Sequence, residues 1–146
     1  MVKLILFVLA LPLIGVCTGA CGEDDAASDI EVLAAIRVLD SAGLHGIDES
    51  INEQRTIPAN ARTVALQAET AIQLTDWPND LDNEADALAA TFREMAGVLA
   101  VDPPDLTKSG EIAAKAHDQE HDFSHRVWEY LYDKADVEAD AHAAAD

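Results

Sequence analysis

Basic residues are scarce in this chain: nine Lys and Arg stand against 28 Asp and Glu, a formal net charge of −19 over 146 residues. Binding nucleic acid needs clustered cations to neutralise phosphates, so that class of partner is excluded. An anionic bilayer surface is repelled for the same reason, whereas cations and basic envelope proteins are attracted. Cysteine is nearly absent. Cys17 and Cys21 are the two, both near the N-terminus, so no disulfide framework can staple the body of the chain. Strand signals are lacking too: Gly and Pro fall at punctuation points and alanine is abundant, which leaves helical periodicity as the organising signal. Ser41, Ser50, Ser109 and Ser124 have no glycine-elbow context, and no glycine-rich loop is present to cradle phosphate. Carboxylates are so numerous that no pair stands out as glycosidase-like. The chain is therefore not expected to be an enzyme.

What is present begins with an address. Met1-Val2-Lys3 is a short positive start, and Leu4 to Val16 (LILFVLALPLIGV) is an unbroken apolar run. That run is too short to span a bilayer comfortably, which takes about 20 residues. With the small residues Thr18-Gly19-Ala20 after it, residues 1–20 read as a secretion signal with a cleavage site. The step Thr18-Gly19-Ala20-Cys21 resembles the lipobox of bacterial lipoproteins, with Thr18 where Leu or Val is usual. The resemblance implies cleavage before Cys21 and a lipid on that cysteine. The chain would then be anchored to a membrane of the bacterial cell envelope and face the periplasm. Ordinary cleavage near Ala20, leaving a free Cys21, is the other reading. Residues 21–27 read as a polar tether.

Residues 28–135 carry the pattern of four helices, and the expected class is all-α, an antiparallel up-down-up-down four-helix bundle. Ser28 and Glu31 form a capping box at the first helix start. Leu33, Ile36, Leu44, Ile47 and Ile51 follow on one side, interrupted by Asp40 and Gly43, where glycine would let another helix approach. Pro58 suits the first turn of the second helix, whose inner face is Val64, Ala68, Ala71, Ile72 and Thr75. Trp77-Pro78 ends it. Leu81, Ala85, Leu88, Phe92, Met95 and Leu99 alternate by four and three as the seam of the third helix. The fourth runs from about Ser109 to Lys134, with Ile112, Ala116, Phe123, Val127 and Tyr130 inward. Residues 136–146 form an acidic, alanine-rich tail expected to fray.

The fourth helix also carries the chemistry. His117, His121 and His125 recur at four-residue steps, with Asp118, Glu120 and Asp122 among them. Each such step advances about 40° around a helix, so one straight helix cannot aim all three inward. His117 lies at the edge of the buried face, His121 farther out and His125 nearly opposite the core. Neighbouring pairs can still grip one Zn, Cu or Ni ion, with Glu120 as a weak further ligand. The plainer reading is a solvated, histidine-bearing face. His45 points away from the core of its own helix. Glu120 and Asp40 each interrupt an apolar stripe and either meet water at a bundle edge or line a pocket or bind a cation.

The order of features resembles the cytochrome c′ and cytochrome b562 group of periplasmic four-helix bundles over about residues 28–135. The likeness is carried by Arg37, the Trp77-Pro78 step, Phe92 in the third seam, and Lys115-Ala116-His117-Asp118-Gln119-Glu120-His121 on the fourth helix. In that register His117 and Glu120 stand where the c′ type has its two haem-linking cysteines, and His121 matches the axial histidine. The resemblance implies a haem held non-covalently on His121, five-coordinate because the body of the chain holds only Met95, for electron transfer or small-ligand binding. It also implies a homodimer through the first two helices. Two further readings stand beside it: a metal module on the histidine stripe, and a cofactor-free bundle acting by contact with another envelope protein.

Overall fold

Alanine- and leucine-rich segments with three- and four-residue apolar spacing fold as helices wherever their backbone allows it. The computed structural model describes residues 24–135, with side chains from Asp29 onward. Its elements are α1 (Asp24–Asp40), α2 (Leu44–Asn52), α3 (Ala61–Gln73), α4 (Asp82–Val98) and α5 (Leu106–Lys134). No strand occurs among the described residues, and the class is all-α. Residues 1–23, with the expected signal and Cys21, and residues 136–146, with the tail expected to fray and His142, lie outside the described residues.

The first expected helix is in fact two. Gly43 adopts φ 68° and ψ 35°, a left-handed conformation that ends the helical ladder and reopens it as the N-cap of α2. Nothing lies within 4 Å of where a Cβ on Gly43 would stand, so the glycine serves its backbone angle and not the approach of another helix. The break also shifts the phase. Val32, Ala35, Ile36 and Leu39 are buried in α1, whereas Leu33, expected inward, is 40% exposed. The inward phase of α2 (Leu44, Ile47, Ile51) does not extrapolate backward through a left-handed residue. In addition, α1 begins at Asp24, so Ser28 lies inside the helix and residues 24–27 of the expected tether are helical.

The seam of α4 is as its spacing implies: Leu81, Ala85, Leu88, Phe92, Met95 and Leu99 are all buried. On α3 the buried positions are Ala61, Ala65, Ala68 and Ile72, while Val64, Ala71 and Thr75 sit half-buried at the margin. Helix α5 starts at Leu106, ahead of Ser109, because the Asp105 carboxylate accepts from the backbone N–H groups of Thr107 (2.9 Å) and Lys108 (3.2 Å). It buries Ile112, Ala116, Phe123 and Val127, with Tyr130 partly covered. Trp77, which reads in the sequence only as a helix end, is a core residue. Its indole N–H donates to Ile72 O at 2.9 Å, and its ring meets Phe123 edge-on at 4.9 Å.

Helix α3 packs on α4, α4 on α5, α5 on both α1 and α2, and α1 on α3. Partners of α5 descend as the first two helices ascend: Asp29 meets Tyr130, Asp40 meets Ser124, Asp48 meets His117, and Asn52 meets Gly110. Along α4 the order is likewise Glu84 with Arg126, Thr91 with Gln119, and Glu94 with Lys115. No helix of the described residues is long and apolar enough to cross a membrane.

Two substitutions test this framework in urea or thermal melts. Gly43→Ala should cost about 1–2 kcal/mol, since an L side chain is strained at that φ, and Gly43→Asn should cost less. Phe92→Ala should cost about 3–5 kcal/mol through cavity formation.

Candidate functional site

The long α5 presents three polar neighbourhoods, each fixed by the buried stripe behind it. The first lies where α1 ends. Glu120, Ser124 and Trp128, one helical turn apart, face Asp40 across the α1–α5 joint. Ser124 Oγ donates to Asp40 Oδ1 (2.7 Å) and Trp128 Nε1 donates to Asp40 Oδ2 (3.2 Å). The Arg37 guanidinium covers the Trp128 ring at 5.3 Å. The two acids that interrupt apolar stripes in the sequence therefore meet each other. Burial first, and the negative charge of Asp40 second, push the Glu120 carboxyl up from 4.5 to about 7.

The second neighbourhood joins α5 to α2. His117 Nδ1 lies 3.3 Å from Asp48 Oδ2, and both side chains are about three-quarters covered. The His45 ring stands beside that of His117, with centroids 5.1 Å apart and planes tilted by 59°. His45 thus points away from its own helix's core, as its position implies, and toward a neighbour on another helix.

The third is the outer face. His121 and His125 are exposed; His125 Nδ1 approaches Glu129 at 3.3 Å, while His121 is 3.9 Å from Asp122. Both stand on the rim of an open groove of about 620 Å³ between α4 and α5, where Leu88 and Phe123 reach the floor. Arg126 on the same rim is paired with Glu84 and also donates to Asp80 O.

The structure thus divides the histidine stripe. His117 turns to α2, His121 and His125 turn to solvent, and Glu120 turns to Asp40. Among the described residues, no three His, Cys, Asp or Glu side chains are gathered to hold a metal ion. Nor do the residues at His121 fit an enclosed haem. Its side chain is 76% exposed. The groove floor is made by Leu88 and Phe123, which show 1% and 2% of their surface, so little apolar area is offered to a macrocycle. The one cation at the rim, Arg126, already serves a carboxylate.

No family model, curated protein or solved structure matches the chain. The likeness to the cytochrome group therefore stands on the residues quoted for it. Sequence reasoning missed Asp48, Asn52 and Trp128 as site residues. Their signal is positional: Asp48 and Asn52 follow His45 at i+3 and i+7, and Trp128 follows Glu120 at i+8, spacings that place each set on one helix face.

Two outcomes follow. Because the folded Glu120 value lies above the ordinary one, the native state holds that proton more tightly than the unfolded chain. Its stabilising contribution is full below about pH 4.5 and is lost as pH rises to about 7. Glu120→Gln should remove this slope and gain about 1 kcal/mol over the parent at pH 8, after allowance for the water that reaches the group. Denaturant melts from pH 4 to 8 read the difference. Hemin added to the purified chain should give no strong band at the blue edge of the visible that depends on His121; a band abolished by His121→Ala would restore the haem reading.

Proposed function

We propose that the chain is an exported bacterial lipoprotein, held to the envelope by a lipid on Cys21, whose helices form an antiparallel up-down-up-down four-helix bundle. In this reading α1 and α2 together make the first rod. The antiparallel registers of α5 with α1–α2 and with α4 support it, as do the short links between helices. The bundle works without haem and without catalysis, by docking a basic envelope protein.

The observation that carries the docking reading is the outer face of α1. A surface helix ordinarily shows apolar residues to the core and polar residues to water. Helix α1 is apolar on both sides: Val32, Ile36 and Leu39 are buried, and Ile30, Leu33 and Val38 are exposed at 68%, 40% and 43%. Helix α3, which packs on α1, carries an exposed apolar residue of its own, Leu66. Several large apolar side chains exposed on one helix point to an interaction surface. Charge chooses among occupants. A second copy carries the same −19 and an anionic membrane the same sign, whereas a basic protein gains from the field around the patch.

The test uses the full chain expressed in a Gram-negative host. Cys21→Ser should move it from the membrane fraction to the soluble one. Leu33→Ser/Val38→Ser should keep the helical circular dichroism and the melt of the parent, yet lose a cross-linked basic partner whose capture by the parent weakens with salt. Capture unchanged by the double substitution, or a stable homodimer in sedimentation, would overturn the docking reading.

A further inference from the structure

We infer that His45 and His117 form a two-histidine clamp for a borderline-soft divalent cation of the Zn²⁺, Cu²⁺ or Ni²⁺ class, joining α2 to α5, with Asp48 as its positioning residue. This pair shares only His117 with the His117/His121/His125 stripe, takes its second ligand from α2, and does not rest on the docking reading.

The clamp is prepared from behind. A Cβ at Gly110 would overlap the Asn52 amide, so the absence of a side chain there lets Asn52 lie against α5. Asn52 Nδ2 donates to Gly110 O (3.0 Å) and to Asp48 Oδ1 (2.6 Å). The other carboxylate oxygen of Asp48 is thereby aimed at His117 Nδ1, 3.3 Å away. A carboxylate on Nδ1 selects the tautomer with its proton there and leaves the Nε2 lone pair for a cation, the usual second layer of a histidine metal site.

The second imidazole is at the spacing a shared ion needs. Two rings bound to one tetrahedral Zn²⁺ at about 2.0–2.1 Å per Zn–N bond have centroids about 5 Å apart. The rings of His45 and His117 have centroids at 5.1 Å and are tilted by 59°, not stacked. Two imidazoles favour Zn²⁺, Cu²⁺ or Ni²⁺ over Ca²⁺ or Mg²⁺, which take oxygen ligands. Asp48 serves His117, so only two protein nitrogens bind directly and water completes the shell, in keeping with the lack of any three-ligand group among the described residues. The strongly acidic chain raises the local cation concentration. The ion would pin α2, the shortest helix, to α5.

The experiment is calorimetric titration of the purified full chain with ZnCl₂ near pH 7.5, with thermal melts alongside. One saturable site and a raised Tm are expected. His45→Ala and His117→Ala should each weaken binding at least tenfold and remove the Tm rise, and Asp48→Asn should weaken it several-fold. His121→Ala/His125→Ala should leave it unchanged. His45 is exposed, so its variant stays folded and decides the matter even where His117→Ala does not. The inference is overturned by an unaltered affinity in His45→Ala, by an equal loss in His121→Ala/His125→Ala, or by the absence of a saturable site.

Discussion

The packing of one apolar stripe, Ile112, Ala116, Phe123 and Val127 of α5, against its neighbours sets the position of nearly everything else. That stripe meets α1 and α2 on one side and α4 on the other. Once it is buried, the rotation of α5 about its axis is fixed. Rotation then decides that His117 faces α2, that Glu120 and Ser124 face the end of α1, and that His121 and His125 face water. Each methylene buried here contributes about 0.8 kcal/mol, against a median near zero to 1 kcal/mol for an exposed ion pair. The polar contacts on α5 are therefore placed by the core and do not place it.

Where the sequence reads true, local spacing and tertiary burial agree. The α4 seam from Leu81 to Leu99 is such a case, because its helix is unbroken and a single phase runs through it. Where it misleads, one backbone angle intervenes. A glycine inside a helical pattern does not announce whether it will stay right-handed, and Gly43 does not. The change of one residue in phase turns Leu33 outward and Val32 inward. The polar cluster was legible only in part. Glu120 and Asp40 each break an apolar stripe, which marks them separately, but nothing in the spacing pairs residues separated by about half the chain. The same holds for His45 and His117. Their meeting depends on the antiparallel register of α2 and α5, a tertiary fact that no local pattern contains.

The acidic composition gives these pairings their energetic meaning. In a chain with few cations, the half-buried Glu120 carboxyl finds no guanidinium to neutralise it. Arg37 is close, yet it lies over Trp128, and the two hydrogen bonds to Asp40 come from the neutral donors of Ser124 and Trp128. Those donors occupy both oxygens of the Asp40 carboxyl. Glu120, left beside an ionised neighbour and partly out of water, keeps its proton instead. The α1–α5 joint is thus held by the hydrogen bonds of Ser124 and Trp128 to Asp40, with the Glu120 carboxyl raised beside them.

This joint bears on how α1 is attached. Its inner face is apolar, and it is tied to α5 by Asp29, within the helix, with Tyr130 and by Asp40, at its end, with Ser124 and Trp128. Its outer face carries Ile30, Leu33 and Val38. Beyond its last turn the chain passes through the left-handed Gly43, whose carbonyl accepts the first hydrogen bond of α2 from Ile47 N–H. A helix bordered by such a break is joined to α2 by a few residues, so its hold on the body comes from packing and from those ties. The helix that carries the exposed Ile30, Leu33 and Val38 is thus also the one whose attachment contains the acid pair. Any partner that covers the outer face adds burial to α1, and so strengthens the joint at which Glu120 and Asp40 oppose each other.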